Sequence, residues 1–471
     1  MTLVDSDVIS RVEIELKKIM DPEFVLTGHE TILYEYDGSV ERARPDVVVV
    51  PSSTQEVMSI MQIAARYSVP VVARGAGTSL SGGAIPLQRG IVLSTTRMNK
   101  IIDVDLRNRR AVVQPGVINL DVSAEVNPQG FQYTPDPSSQ KASTIGGNVA
   151  TNAGGPHTLA YGVTTNHVLG LEFVTGDGRL VKIGGISRDV PGYDLVGLMV
   201  GSEGTLGVVT AITVNLMRIP ESVRTMLAVF DSVDRATQTV SRIIAEGIIP
   251  AAMELMDQGC TRAVSSWMPE VNLPTDAGAV LILEVEGVEA GLDEDAERIV
   301  QICNDSEANE VRLANSDLER GELWAARKGA FGAIGVLSPN YYVQDGVVPR
   351  TRLAEVQRRV NEIGRGRGLQ IVNVFHAGDG NIHPIILFDS NEQGALDNVM
   401  EAGEEILDVC IEAGGTLTGE HGLGMEKNKQ LPRLLSRSDI DAMLAIKDIF
   451  SPNGLLNPQK VFPPGMSCRL F

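Results

Sequence analysis

The chain has 471 residues, 43% hydrophobic and 21% charged, so it is long enough for two or three domains with sizeable cores. Sixty acidic and forty basic side chains give a net charge of −20, which would repel the phosphates of nucleic acid and an anionic membrane surface. We therefore expect no DNA or RNA partner.

Neither a signal peptide nor a transmembrane helix is indicated, since the first ten residues lack a basic segment followed by an apolar one and no apolar run reaches about 18 residues. We expect a cytoplasmic protein that is not membrane-spanning and associates peripherally with a membrane only through a partner. The four cysteines are far apart and include no Cys-x-x-Cys pair, so any iron–sulfur relay must belong to a partner.

The first predicted elements follow an N-terminal helical segment, residues 1–40. Residues 47–50 predict a buried strand, and Ser53 with Glu56 forms a capping box that begins an amphipathic helix reaching about Ser68. A second strand at 69–73 leads into a glycine-rich stretch, 75–83, and an apolar run follows it. The glycines are therefore expected on a loop at strand ends.

Two more glycine clusters follow, within a predicted first domain of residues 41–220. Between and around them the sequence predicts strands at 101–104, 111–113, 170–174 and 208–214. The second cluster contains Gly146, Gly147, Gly154 and Gly155, and the third runs from Gly201 to Gly207. Pro220 is predicted to end this domain.

The second half has a different composition, with helices at 232–245 and 403–411 and strands at 280–285 and 370–375. We expect an α+β substrate domain over residues 221–450, with a sheet covered by helices on one face. The remaining segment, 451–471, is expected to turn at 454–458 and return to the first domain.

Glycine-rich loops at strand ends let backbone N–H groups approach a phosphate, although most glycine clusters merely form turns. Familiar nucleotide motifs do not fit the first cluster: Leu80 occupies the place of the third Rossmann glycine, and no lysine follows Gly82 as in a P-loop.

The three clusters, in this order and spacing, resemble the FAD-binding domain of the vanillyl-alcohol oxidase and p-cresol methylhydroxylase superfamily. Residues 136–139, 152–155 and 378–381 are similar to the branch that contains the glycolate oxidase D subunit, D-lactate dehydrogenase and D-2-hydroxyglutarate dehydrogenase. The resemblance covers about residues 40–465. It implies an α+β fold with a two-part FAD-binding domain of the p-cresol methylhydroxylase type and a substrate domain with an antiparallel sheet.

The resemblance also implies which residues surround the FAD. Many relatives carry a histidine that attaches covalently to the flavin where this chain has Thr78, so we expect non-covalent FAD. The residues carried over by position are Arg74, Gly75, Gly77, Thr78, Ser79, Ser143, Gly146, Gly147, Asn152, Gly154, Glu203 and Val209.

Three of the six histidines fall in two short motifs, residues 376–383 and Glu420-His421. A turn at Asp379-Gly380 would let His376 and His383 face each other. On extended backbone adjacent side chains point in opposite directions, so only one of Glu420 and His421 is expected to bind a metal. His376, His383 and Glu420 suit Zn²⁺, Mn²⁺ or Fe²⁺, with His421 as the catalytic base, and metal-dependent members of the branch have both motifs.

Arg327 matches the family position that binds a substrate carboxylate, whereas the alternative is an exposed helix arginine. The segment 341–346 resembles the family's substrate-side strand. The implied function is oxidation of a small D-2-hydroxy acid, such as D-lactate, glycolate or D-2-hydroxyglutarate, with hydride transfer to flavin N5 and metal-assisted deprotonation.

The expected electron acceptor is a partner protein (an iron–sulfur subunit, an electron-transfer flavoprotein or a cytochrome) or a quinone, since no nicotinamide fingerprint is present. Three alternatives stay open: a non-catalytic electron-transfer subunit, a metal-free alditol or aldonolactone oxidase, and a zinc hydrolase. The first conflicts with the intact histidine motifs, and the last leaves the glycine clusters unexplained.

Overall fold

The computed structural model describes residues 5–187 and 191–466, so Cys468 lies outside the described residues. The chain divides into two compact units. Unit 1 takes its residues from Met1–Gly154, Val163–Ile219 and Glu420–Phe471, and unit 2 from Gly155–Gly162 and Pro220–Gly419.

Unit 1 contains a four-stranded sheet with a strand–helix–strand unit at its centre. The helix Thr54–Tyr67 begins where Ser53 Oγ accepts a hydrogen bond from Glu56 N, and its apolar face packs in the core beneath the sheet. Three of the strands are parallel, and the short first strand joins them antiparallel. In spatial order they are Val25–Leu26, Val47–Val49, Ile91–Ser94 and Val71–Arg74.

The second sheet of unit 1 is antiparallel and five-stranded, with its own core of buried aliphatic residues. Its order is Ile101–Asp105, Arg110–Val113, Val208–Asn215, Val168–Val174 and Leu180–Gly184. A separate two-stranded ribbon pairs Met217–Arg218 with Phe131–Gln132. The helices of unit 1 are Ser6–Ile19, Thr54–Tyr67, Asn119–Val126, Ile145–Thr151, Leu195–Met199, Leu431–Leu434 and Arg437–Phe450.

Residues 420–450 belong to unit 1, whereas the sequence analysis placed them in the substrate domain. The reason is packing: Ile446 and Phe450 contact the core of the five-stranded sheet. After the helix Arg437–Phe450, the chain reaches the strand Val71–Arg74. There Val71 N donates to Leu455 O at 2.9 Å and Asn457 N donates to Val71 O at 2.8 Å. The C-terminal segment therefore pairs with the edge of the parallel strands.

Unit 2 is built on an antiparallel sheet of eight strands. Seven follow in the order Glu310–Leu313, Ser222–Phe230, Ala279–Gly287, Ala252–Asp257, Gln370–His376, Asn381–Phe388 and Asn340–Val343. The eighth, Gly346–Val347, pairs with the first two residues of the strand Asn381–Phe388. Parallel and antiparallel strands with separate helices confirm the predicted α+β class.

Both faces of this sheet are buried, so the prediction of one covered face is wrong. Ile282 belongs to a core shared with the helices Gln258–Trp267 and Asp317–Lys328, while its neighbours Leu281 and Leu283 point to the other face and are also 0% exposed. Four further helices contact the sheet, and each of them also contacts the next one in this list: Glu289–Asp305, Val233–Ala245, Leu353–Arg367 and Ala395–Glu412. The short helices Thr158–Tyr161 and Ala330–Ala333 complete unit 2.

Within residues 5–187 and 191–466, we find no helix with the length and apolar character needed to cross a bilayer. The three cysteines in these ranges, Cys260, Cys303 and Cys410, are buried and not disulfide-bonded.

Candidate functional site

The glycine loop, residues 75–83 of unit 1, leaves the carboxyl end of the strand Val71–Arg74. A Cβ on Gly75 would lie 2.3 Å from Thr144 Oγ1, and a Cβ on Gly77 would lie 2.0 Å from Arg74 Nη2. Gly77 also has a φ of +76°, a conformation that L side chains rarely adopt. These positions require glycine because side chains do not fit there.

Residues before the glycine loop hold it in place. Arg74 is buried and its Nη1 donates to Tyr36 O at 2.7 Å, while burial lowers the pKa of its guanidinium. Gly38 N donates to Ser79 O at 2.8 Å, and Ser79 Oγ accepts from Gly83 N at 3.3 Å. Arg74 is therefore part of the loop's support, and Thr78 is exposed.

The second glycine cluster lies at the start of the helix Ile145–Thr151. Thr144 Oγ1 accepts from Gly147 N at 3.2 Å, and a Cβ on Gly146 would lie 2.5 Å from Pro115 Cβ. Ser143 Oγ is buried and has no hydrogen-bond partner in the described part of the chain. Gly146 thus lets the chain pack closely on Pro115, and the unpaired buried hydroxyl of Ser143 can hydrogen-bond to a polar ligand such as FAD.

The third cluster packs on the same helix. Gly201 N donates to Val149 O and Glu203 N donates to Ala150 O, both at 2.8 Å. Because Gly75 also meets Thr144, all three glycine clusters converge within unit 1. The remaining predicted cofactor residues flank this region: Asn152 ends the helix with a φ of +55° and Gly154 follows it, while Val209 lies on the strand Val208–Asn215.

Glu203 has a structural task that sequence analysis missed. Its carboxylate accepts hydrogen bonds from Leu423 N and Gly424 N, both at 2.7 Å. Burial raises the pKa of this carboxyl, and the amide hydrogen bonds together with the charges of Lys427 and Lys460 oppose that rise. Both oxygens of Glu203 therefore hold the backbone that follows His421.

The His421 loop, residues 420–425, is also tied to the glycine loop within unit 1. Ser81 Oγ donates to His421 O at 2.9 Å, and Met425 N donates to Ser81 O at 3.0 Å. His421 Nε2 lies 3.9 Å from Glu420 Oε1, so the expectation that these neighbouring side chains diverge is wrong. The backbone bends at Glu420 and His421 and is not extended there, which accounts for this difference.

The histidine hairpin, residues 370–388 of unit 2, places two imidazoles on one face of the sheet. His383 lies opposite Val374, two residues before His376, so the two histidines are diagonal neighbours. Their ring centroids are 5.0 Å apart and the rings are nearly perpendicular, at 89°. Gly380, with a φ of +85°, makes the tight turn, and the predicted approach of the two histidines is confirmed.

Arg327 is 0% exposed, which excludes the alternative of a surface arginine. Its Nη2 lies 2.5 Å from Glu254 Oε2, and both oxygens of Glu254 lie within 2.9 Å of His376 Nδ1. Among the described residues, Nε and Nη1 of Arg327 have no hydrogen-bond partner. A buried cation with unused donors next to a histidine pair can receive an anionic group.

Asp345, in the predicted substrate-side segment, orders the chain just before Glu420. This buried carboxylate accepts from Asn381 Nδ2 at 2.7 Å, from Thr418 Oγ1 at 2.5 Å and from Gly419 N at 3.1 Å. Gly419 is thereby held in the same unit as the histidine hairpin.

A second buried carboxylate, Glu284, lies on the strand beside Glu254. Arg320 donates two hydrogen bonds of 3.0 Å to it, and Trp324 Nε1 donates one of 2.6 Å. Burial alone would raise the pKa of Glu284, but its interactions with His157 and Arg320 outweigh burial and lower the pKa to about 2. Side chains of the protein thus supply hydrogen-bond donors to both oxygens of this carboxylate.

Glu254 and Glu284 were not among the residues predicted from the sequence, and Asp345 was included only as part of the segment 341–346. The signal that could have found Glu254 and Glu284 is a carboxylate with apolar residues on both sides within a strand, because such a charge is rarely buried without a partner. The partners themselves are distant in sequence and only the fold reveals them.

Comparisons with known proteins agree with this geometry. Residues 45–184 match the FAD binding domain family, and residues 219–461 match the C-terminal domain of the FAD linked oxidases. Glycolate oxidase subunit GlcD of Escherichia coli K12 is 46% identical over 450 residues, which cover 95% of this chain and 90% of the relative. The Bacillus subtilis subunit GlcD is 42% identical over 95% of this chain and 96% of its own length.

A D-lactate dehydrogenase of Archaeoglobus fulgidus is 34% identical over 88% of this chain and 91% of its own length. Among solved structures, p-cresol methylhydroxylase with substrate bound has a TM-score of 0.83 at 15% identity, covering 98% of this chain and 99% of that one. This likeness confirms the predicted fold type.

The resemblance drawn from the glycine clusters and histidine motifs is thus confirmed. The chain belongs to the family of FAD-linked oxidases, in the branch of the glycolate oxidase D subunit and D-lactate dehydrogenase, and it is an FAD-linked oxidoreductase.

Proposed function

We propose that this enzyme oxidises a small D-2-hydroxy acid, such as D-lactate, glycolate or D-2-hydroxyglutarate, to the 2-oxo acid. The observation that carries the proposal is the buried Arg327, whose Nε and Nη1 have no partner in the described ranges, beside the histidine pair. The names of the relatives, glycolate oxidase subunit and D-lactate dehydrogenase, support this substrate class.

Arg327 is proposed to bind the substrate carboxylate. Glu254 occupies one side of the guanidinium through Nη2, and the remaining N–H groups can donate charge-assisted hydrogen bonds to a second carboxylate. Burial of the whole side chain removes competition from water, so the carboxylate and not a neutral group is expected to bind there.

His376, His383 and Glu420 are proposed to hold a divalent metal ion. The two imidazoles share one face of the sheet, and Asp345 orders Gly419, the residue that Glu420 follows in the chain. Nitrogen and carboxylate donors of this kind suit Zn²⁺, Mn²⁺ or Fe²⁺. Such an ion, when bound, lowers the pKa of a substrate hydroxyl.

His421 is proposed to accept the proton of the substrate hydroxyl. Its backbone is held by Ser81 from the glycine loop and, through the following amides, by Glu203. A neutral imidazole on a supported loop can take the proton as the hydride leaves the substrate carbon. FAD, when bound, accepts that hydride at N5.

The FAD is proposed to be non-covalent, because Thr78 stands where relatives carry the histidine of the covalent link. Denaturing the yellow protein should release intact FAD into the supernatant. Flavin fluorescence that remains with the precipitated polypeptide would contradict this.

The decisive experiment is anaerobic bleaching of the flavin by a panel of D- and L-2-hydroxy acids. We expect bleaching by D acids or glycolate, its loss on chelation with the FAD still bound, and its return with Zn²⁺ or Mn²⁺. Bleaching that chelation leaves unchanged would favour a metal-free alditol or aldonolactone type of oxidase. No bleaching by any acid would leave a non-catalytic electron-transfer subunit.

A partner protein or a quinone is proposed to accept the electrons from the substrate-reduced enzyme. An iron–sulfur subunit, an electron-transfer flavoprotein and a cytochrome are the candidate partner proteins. Stopped-flow mixing of the substrate-reduced enzyme with air, or with NAD alone, should give slow reoxidation. Fast reoxidation by either would show that no such acceptor is needed.

A further inference from the structure

We propose that Glu254 is the positioning residue that sets both the tautomer of His376 and the orientation of Arg327. This inference rests on the proposed function, because it concerns residues proposed there to bind the metal and the substrate. Glu254 lies at the centre of the strand Ala252–Asp257 and is 1% exposed.

The hydrogen bond to His376 determines which ring nitrogen carries the proton. A carboxylate paired with arginine is only an acceptor, so the contacts of 2.8 and 2.9 Å from His376 Nδ1 require a proton on Nδ1. Arg327 Nη2 lies 3.4 Å from the same Nδ1, but Nδ1 cannot both donate to Glu254 and accept from Arg327. The shorter contact decides, and in the neutral imidazole the lone pair is therefore on Nε2 of His376.

The same carboxylate orients Arg327. The contact of 2.5 Å with Nη2 holds one side of a guanidinium that is completely buried. Without it, Arg327 would keep its charge in a space from which water is excluded and would turn toward another acceptor. Glu254 therefore couples the residue that would bind the substrate to a residue that would bind the metal.

Glu284 provides a matched control for the loss of a buried carboxylate. It lies on the neighbouring strand and pairs with Arg320, which is seven residues from Arg327 on the same helix, Asp317–Lys328. It is as buried as Glu254. Glu284→Gln therefore reproduces the loss of a buried charge without touching His376.

The first measurement is the tautomer of His376 in the wild-type protein, from NMR of ¹⁵N-histidine, with His376→Gln used to assign the signal. We expect the Nδ1–H form. In Glu254→Gln the amide oxygen is expected to stay on Arg327 and the amide NH₂ to face His376, which would then change to the Nε2–H form. Glu284→Gln should leave the signal unchanged.

The second measurement is the affinity for Zn²⁺ alone, by competition with a chromophoric chelator. Loss of an outer carboxylate behind a ligating histidine typically weakens metal binding roughly 10- to 100-fold, so Glu254→Gln should weaken it by that factor and Glu284→Gln should not. Retained FAD absorbance in each variant shows that the protein is folded.

The outcomes separate the two proposals. An Nε2–H tautomer in the wild type, or Zn²⁺ affinity in Glu254→Gln equal to that of Glu284→Gln, would overturn the role of Glu254. If the wild type binds no Zn²⁺ but His376 has the Nδ1–H tautomer, and that tautomer is lost in Glu254→Gln, the proposed metal chemistry fails while the positioning role of Glu254 stands.

Discussion

The glycine loops of unit 1 and the histidine hairpin of unit 2 are built on opposite principles. Around the glycine loop the backbone is the working surface, and Gly75 and Gly146 are needed because a Cβ would collide with neighbouring atoms. At the hairpin, long side chains from several strands and a helix meet on one face of a sheet that is covered on both faces. There Arg327, Glu254 and His376 form one buried hydrogen-bonded group.

Each of the two regions is vulnerable to a different kind of substitution. A surface made of backbone is sensitive to the addition of atoms, whereas a group of buried charges is sensitive to the removal of one member, since the others are left without a partner. An added methyl group in unit 1 should therefore displace the backbone, whereas the removal of a charge in unit 2 should leave its buried partners unpaired.

Gly146→Ala should have the largest effect. The added Cβ would lie 2.5 Å from Pro115 Cβ and 2.9 Å from Pro115 O, so the second glycine cluster must shift. We expect colourless protein, with FAD affinity reduced at least roughly 100-fold, since the loss of a few kcal/mol has that effect. The measurement is flavin content and affinity after purification.

Gly454→Ala is the control for this change. Gly454 also lies in unit 1 and has a φ of +63°, but its Cβ would meet nothing within 4 Å. It tests backbone strain without collision, and it should stay yellow. If both variants kept their flavin, the second cluster would not be the close-approach surface that we describe.

His421→Ala should slow flavin reduction by roughly 10²- to 10⁴-fold, the usual contribution of a positioned general base. FAD should stay bound, because the contacts of the loop with Ser81 and Glu203 are made by its backbone. Stopped-flow reduction under anaerobic conditions measures the rate. Replacing the exposed His29 of the same unit by alanine is the control, and an equal rate in the two variants would remove His421 from the mechanism.

The comparison also explains what could be predicted from the sequence. Gly77 and Gly380 mark local backbone needs that a short stretch of sequence displays, so the loops and the hairpin were predicted near their observed positions. Glu254 and Asp345 act through partners far along the chain, such as His376 and Gly419. No local pattern identifies such pairs, because the order of strands in the sheet creates them.

The same limit accounts for the errors in the sequence analysis. Alternation of buried and exposed residues indicates one covered face, but the run Val280–Val285 contains no polar alternation apart from Glu284, and both its faces are buried. The orientation of His421 relative to Glu420 follows from the bend of the backbone at these two residues, where an extended backbone was expected.

Arg327→Lys should mainly weaken substrate binding. A lysine keeps the positive charge but not the planar set of donors that can serve Glu254 and a substrate carboxylate together. Loss of one hydrogen bond to a charged group costs about 1.5 to 3 kcal/mol. We therefore expect KM to rise roughly 10- to 100-fold with a smaller change in kcat.

Arg320→Lys, in the same helix and also paired with a buried glutamate, is the control. Its KM should stay within about a factor of two of the wild-type value, because a change confined to Glu284 removes no proposed substrate contact. Equal KM values in both lysine variants would place the substrate carboxylate elsewhere.

Glu203→Gln should have the smallest effect and bears most directly on the boundary between the two principles, because here a charged side chain supports a backbone surface. Glutamine offers one acceptor oxygen where the carboxylate accepts from Leu423 N and Gly424 N. The His421 loop should become less ordered, so we expect kcat to fall roughly 10-fold, which corresponds to about 1.4 kcal/mol, while FAD remains bound.

Glutamine also resembles the protonated carboxyl, and burial raises the pKa of Glu203. The wild-type and variant rates should therefore converge as the pH falls, whereas Glu172→Gln, whose carboxylate pairs with the exposed Lys182 in the same unit, should follow the wild type at every pH. A constant ratio of rates across the pH range, or loss of FAD from Glu203→Gln, would show that Glu203 does not act by holding this loop.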